Sequence, residues 1–341
     1  MELRKLQLVG RASFSVTLPP NWIKGNNLKP SDQITITQEE DGSLRLVPGI
    51  TKEQEGSKTT IDADLCKKPH LLRRLIVGGY IRGCDLIEIV SKRGISQTHK
   101  SEIQDTVDRL LGLGIMEAAS DHIKIQSLID HSKFPIKPLL KRLCGLALSI
   151  NKDALQALKE KDQPLAEDVV KRENEVKRIY WLSMRQLEAA TYDKSLLKKI
   201  GLEAERDPTY YREATIKTMS AADYALDIAK NVLALGKKEA SGGDLIKIIQ
   251  LGKLTNEVFS DACKAFFRID VALASSTMDA VYHFEKSKDE LTKEVGPRVK
   301  NVQVVMCLMN IIKDLHAIAE CGKRVAEITI NKSITEKGRL P

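Results

Sequence analysis

A chain of 341 residues with 42% hydrophobic but only 4% aromatic residues has room for two or three globular domains built on aliphatic packing. The formal net charge of +8 is thinly spread: Lys and Arg number six against five acids in residues 1–50, thirteen against twelve in 51–134, and 35 against 29 beyond. Bulk charge therefore establishes no polyanion partner, and any phosphate contact must come from clustered side chains. Residues 1–20 alternate rather than run apolar, and no stretch approaches the ~20 apolar residues of a membrane helix. The six cysteines, at 66, 84, 144, 263, 307 and 321, form no CxxC pair, which predicts reduced, buried thiols in a cytoplasmic protein without membrane insertion.

In chain order, residues 1–50 come first and read as a β module. Phe14, Val16 and Leu18 alternate with Ser15 and Thr17, Ile34 and Ile36 alternate with Thr35 and Thr37, and Leu44 and Leu46 flank Arg45. Such period-two patterns predict strands with one buried face. Pro19-Pro20-Asn21 predicts a strand stop followed by a helical turn around Trp22 and Ile23, and Asp41-Gly42 predicts a hairpin turn. A module of about fifty residues encloses little core alone, so a homodimer is expected.

These features resemble the swapped-hairpin AbrB/SpoVT/MazE DNA-binding domain. The likeness is carried by Arg4-Lys5, Gly10-Arg11, the VTLPPNWIK run ending at Lys24, and LKPSDQITI with its Asp-Gly hairpin. It implies an interlocked two-fold β-barrel and puts forward Arg4, Lys5, Arg11, Asn21 and Lys24 as DNA contacts. Arginine and lysine would engage phosphates, arginine could read guanine, and Asn21 would assist through its amide. The plainer reading makes Arg4 and Arg11 solvated edge charges on a module used only for dimerisation.

Residues 51–57, TKEQEGS, read as a linker. Strands are then expected at 59–64, 86–90, 115–119 and 123–128, with helices at 70–81 and 96–111, giving a small α/β region over 58–131. Neither Gly78-Gly79 nor Gly112-Leu113-Gly114 follows a strand as a phosphate-cradling glycine loop must.

From Pro135 the pattern is helical, with predicted spans 136–161, 164–193, 209–236, 243–268, 271–293 and 297–331, separated by glycine and proline breakers. Met219, Ala222, Leu226, Ala229 and Leu233 follow three-four spacing, as do Leu308, Ile311, Leu315, Ile318, Gly322 and Val325. Ala222-Asp223 recurs one hundred residues later as Gly322-Lys323, which predicts two three-helix repeats with close helix contact at the small residues.

Tandem repeats of this kind, with the runs RENEVKRIYWLSMRQL and AADYALDIAKNVLAL, resemble the PhoU phosphate-uptake regulators. Together with the first module, the layout is similar to archaeal PhoU-type regulators that begin with an AbrB-like domain. The fold class is thus multidomain α+β: swapped-hairpin module over 1–50, α/β region over 58–131, and two three-helix bundles over 135–341. The family often binds metal through ExxxD on the third helix of each repeat. Here Met219 stands for the Glu while Asp223 and Asp227 remain, and Ala319 and Lys323 replace both ligands in the second repeat. A lysine at a ligand position repels a cation, so no metal and no other cofactor is expected; Glu173, Asp223 and Asp227 are the carboxylates left to such a site.

The histidines at 70, 99, 122, 131, 283 and 316 are scattered without HExxH spacing, and His316 reads as a hydrogen-bonded packing residue. No enzyme is indicated. The expectation is a regulator of phosphate uptake and homeostasis that binds DNA. The alternative is a signalling adaptor that docks on a phosphate transporter or sensor protein and uses the first module only to dimerise.

Overall fold

Gly10, at φ +71°, and Gly42, at φ +81°, turn the two hairpins at the start of the chain. Both need the left-handed backbone that glycine adopts at little cost. In the computed structural model the described residues are 2–38, 42–49, 57–130, 133–236, 242–298 and 301–334. Asp41, most of the 51–57 linker, His131 and Ser241 lie outside them. The chain divides into two units, Met1–Ser57 and Lys58–Pro341.

In the first unit β1 (Gln7–Val9) pairs antiparallel with β2 (Ser13–Ser15), and β3 (Ile34–Gln38) with β4 (Leu44–Pro48). Between the hairpins α1 (Pro20–Gly25) begins at the expected Pro-Pro-Asn run. The strand expected through Leu18 stops at Ser15, since Val16 to Pro19 find no ladder partner within the described chain. The two hairpins remain separate two-stranded sheets, so no barrel closes among the described residues of a single chain. None of the described residues through Gly49 is buried, and Phe14 is 66% and Leu8 61% exposed. Such a surface is unstable in water unless something covers it.

The second unit opens with a four-stranded sheet of order β5-β6-β8-β7, made of β5 (Lys58–Asp62), β6 (Leu86–Val90), β7 (Leu113–Ala118) and β8 (His122–Ser127). β5 and β6 are parallel and the other pairings antiparallel. α2 (Leu71–Ile81) and α3 (Gln97–Val107) close a core of Ile76, Tyr80, Ile87, Ile89, Ile103 and Ile125. Gly79 has a packing role: a Cβ there would lie 3.1 Å from Ile87 Cδ1, which brings α2 close to the sheet.

Among the described residues eight helices follow: α4 (Ile136–Glu160), α5 (Gln163–Lys171), α6 (Glu173–Tyr192), α7 (Lys194–Lys199), α8 (Asp207–Leu235), α9 (Gly242–Arg268), α10 (Val271–Arg298) and α11 (Val302–Ser333). α4, α6 and α8 pack mutually, as do α9, α10 and α11, and the two sets meet through α4 on α9 and α8 on α11. The second predicted helix is two, because the ladder is interrupted at Arg172, whose N–H bonds Val169 O and whose guanidinium holds Asp153 at 2.6 Å. The short α7 was not anticipated; Asp193 starts it by accepting from the Ser195 and Leu196 N–H groups. The last helix starts later than expected, where Asn301 accepts from the Gln303 and Val304 N–H groups.

α11 is the one described helix long and apolar enough to cross a membrane, which amends the sequence reading. It lies at the centre of the helical region, packed on α8, α9 and α10, with Ile311, Leu315 and Gly322 buried. All six cysteines are buried, as their apolar settings suggest. At Gly322 an added Cβ would sit 3.2 Å from Val258 Cγ1 and 3.3 Å from Phe259 Cα, so α11 rides on the backbone of α9. Gly322→Val is therefore expected to destabilise the protein by about 1–3 kcal/mol through overpacking. Gly145→Ala, where a Cβ meets nothing within 4 Å, should stabilise by about 0.5–1 kcal/mol. Urea unfolding midpoints of the two variants check the contrast.

Candidate functional site

The five residues put forward for DNA lie at three places in the first unit. Arg4 and Lys5 precede β1, Arg11 sits in the β1–β2 turn, and Asn21 and Lys24 belong to α1. All five are exposed. Arg4 Nη2 is 2.5 Å from Glu2 Oε2, and it alone of the four cations has an ion pair among the described residues. Lys5, Arg11 and Lys24 thus carry charge open to a phosphate, and the neighbouring strands present Leu8, Phe14 and Ile36 to the surface.

In the helical region the fold brings Glu173, at the start of α6, to Asp223 and Asp227 on α8. Lys177 binds the Glu173 carboxylate, which lowers its pKa, and Lys230 Nζ lies 2.8 Å from Asp227 Oδ1. Partial desolvation raises the Asp223 carboxyl; Glu173 and Asp227 add to the rise, while Lys177 and Lys230 oppose it. Two lysines among three acids are a poor setting for a hard cation, which needs uncommitted carboxylates.

Sequence reasoning missed Asp314, although an acid inside the apolar run NIIKDLHAIA is a visible anomaly. It is buried on α11, and burial, reinforced by the charge of Asp227, pushes its pKa up to about 6. Also missed was the grouping of Glu285 on α10 with His316 and Glu320 on α11, whose ligand-type atoms lie within 4.8 Å of one another. His316 packs as expected, stacked on Phe284 with centroids 6.1 Å apart. The expected hydrogen bond is not found at its Nε2 among the described residues; that atom stands 3.9 Å from Glu285 Oε1. Lys323 Nζ, 3.6 Å from Glu320 Oε1, already supplies a positive charge at this group.

A third cluster joins the α/β region to the helices. Arg185 of α6 is 4% exposed. Its Nη1 donates to Tyr80 O at 2.8 Å and Cys84 O at 3.0 Å, and its Nη2 to Gly83 O at 3.2 Å and Asp85 Oδ1 at 2.8 Å. The guanidinium lies over the Tyr80 ring, 5.1 Å from its centroid. Trp181, one turn earlier on α6, packs against the α/β core.

Comparison with known proteins finds two separate stretches of the chain similar to known families. Residues 140–232 match the family model described as PhoU domain. The first part of the helical region, α4 to α8, is thus similar to a PhoU domain. Residues 7–54 match the model described as "Antidote-toxin recognition MazE, bacterial antitoxin", so the PhoU domain follows a MazE/AbrB-like module in one chain. Among solved structures, the phosphate transport system regulatory protein PhoU from Streptococcus pneumoniae is similar at 21% identity and TM-score 0.51, covering 60% of this chain and 95% of that one. PhoU from Pseudomonas aeruginosa has 19% identity and TM-score 0.48, covering 57% and 93%. No curated protein matches the chain.

The raised carboxyl of Asp314 makes stability depend on pH. A native-state pKa of about 6 against an ordinary 3.8 means that the folded chain holds a proton the unfolded chain releases. Stability from this group is therefore highest below the ordinary carboxyl pKa and falls as pH rises to about 6. Asp314→Asn removes that loss and is expected to stabilise the protein at neutral pH by about 1–3 kcal/mol, with no gain in acid. Thermal unfolding across the pH range reads the effect.

Proposed function

We propose that the chain is a cytoplasmic, non-catalytic regulator of phosphate uptake whose first unit dimerises and binds DNA. The observation that carries the reading is one chain holding a MazE-like module over 7–54 and a PhoU domain over 140–232. The first unit supports dimerisation because it has no buried residue of its own among those described, so its strands need a second copy to form a core. Its open cations, Lys5, Arg11 and Lys24, support DNA contact, and the PhoU domain supplies the link to a phosphate transporter or sensor protein.

A second reading keeps the dimer and drops the DNA, leaving an adaptor that docks on that transporter or sensor. Two facts favour it: the near balance of six basic and five acidic residues over 1–50, and the engagement of Arg4 by Glu2.

The experiment is a gel-shift titration of the chain against its own upstream region and phosphate-transport promoters, at two salt concentrations, with Arg4, Arg11 and Lys24 changed together to Ala. DNA binding predicts a sequence-selective shift whose affinity falls at least about tenfold in the variant, with a shallower salt dependence. Absence of a selective shift, with transport regulation intact in the variant, would establish the adaptor instead. Light scattering should give a dimer, and Leu8→Lys with Phe14→Lys a monomer.

A further inference from the structure

The α/β region holds a feature that the regulatory reading does not use. Because β5 and β6 are parallel, the loops leaving their carboxyl ends lie side by side and lead into α2 and α3. In parallel α/β layers this is the edge where ligands bind, since side chains from both loops converge there. Asp64 fastens the two loops together, accepting from the Ser91 hydroxyl at 2.8 Å and the Lys92 N–H at 2.9 Å. Beside these loops is a cleft of about 790 Å³, a size in the ~300–1,000 Å³ range of small-molecule sites.

The cleft is lined by cations. Lys67, Lys68 and Arg73 come from the α2 side and Arg109 from the end of α3, with the imidazoles of His70 and His99 among them. None of the four permanent cations has a carboxylate within ion-pair distance among the described residues. In the helical region, by contrast, Arg142, Arg172, Arg212 and Lys247 each hold an acid. Two acids line the cleft as well. Glu102 accepts from the Arg73 backbone N–H at 3.0 Å, which leaves Asp105 as the cleft carboxylate with no hydrogen bond or ion pair among the described residues.

Positive groups gathered this way repel one another and raise the local concentration of anions. Arginine and lysine together suit a phosphate group, the first by its planar fork of donors and the second as a compact point charge. We propose that this cleft binds a small phosphate-bearing anion, held by Lys67, Lys68, Arg73 and Arg109. The site goes beyond the regulatory reading and stands without it, because it rests on the cleft and not on the first unit.

Isothermal titration calorimetry of the full chain with inorganic phosphate, pyrophosphate and ATP at low salt tests the proposal and distinguishes the sources of the phosphate group. Saturable binding of at least one of them, at one site per chain, is expected. That affinity should fall about tenfold or more in the Lys68→Gln, Arg73→Gln double variant, whose unfolding midpoint stays that of the parent. Asp105→Asn, which removes a negative charge from the rim, should tighten the same binding. No saturable heat with any of the three anions at millimolar concentration would overturn the proposal. So would binding that survives the double variant, is not tightened by Asp105→Asn, or is lost only when Arg4, Arg11 and Lys24 are replaced. None of these readouts contains DNA, so a failed gel shift and a failed titration remain separate results.

Discussion

One guanidinium carries the join between the sheet and the helices of the second unit. Arg185 reaches across from α6 and donates to Tyr80 O in the last turn of α2, which also accepts from the Gly83 N–H, and to Gly83 O and Cys84 O just beyond it. A buried charge is tolerable only where every donor has a good acceptor, and its partners here are three carbonyls, the Asp85 carboxylate and the face of Tyr80. Burial lowers the Arg185 pKa, and Asp85 opposes that shift. Tyr80 is itself fixed, fully buried with its hydroxyl donating to Leu111 O at 2.9 Å. Breaking such a cluster by deleting the cation leaves desolvated carbonyls behind and costs about 2–4 kcal/mol. The α/β region is thereby held to α6 by directional bonds as well as by the packing of Trp181.

This join gives α2 two ends with different duties. Its amino end borders the cationic cleft, and its carboxyl end is gripped by α6, the helix that also presents Glu173 to the acids of α8. Arg109 at the end of α3 acts on Glu173 as well, lowering its pKa. The cleft wall and the charged seam of the first three-helix set are thus neighbours in one unit. The first unit obeys a different constraint. None of its described residues is buried, so its apolar strand faces are left open to water.

Much of this was legible in the sequence, for identifiable reasons. β6 and α2 fall within a residue of the expected bounds because Leu86–Val90 is a short β-branched run and the apolar spacing of 71–81 is helical. The close contact at Gly322 follows from a small residue on an apolar seam. Elements marked by specific side-chain bonds were less visible: at the interruption Arg172 pairs with Asp153 of another helix, and α7 starts at the capping carboxylate of Asp193. The cleft was hidden because its cations are split between 67–73 and 109, and only the packing of α2 against α3 unites them. Arg185 could have been noticed, since a cation between Met184 and Leu187 on an apolar helix face asks for a buried acceptor. The trio of Glu285, His316 and Glu320 joins two helices whose register a linear pattern does not specify.

Residue-resolved hydrogen exchange of the full chain and its Arg185→Met variant tests the central claim most directly. If Arg185 couples the sheet to the helices, the slowest amides of β6 and α2 open in the parent with the same free energy as those of α11 at Ile311 and Leu315. In the variant the α/β amides then open at lower free energy while those of α11 keep their protection. Equal protection of both regions in parent and variant would contradict the account.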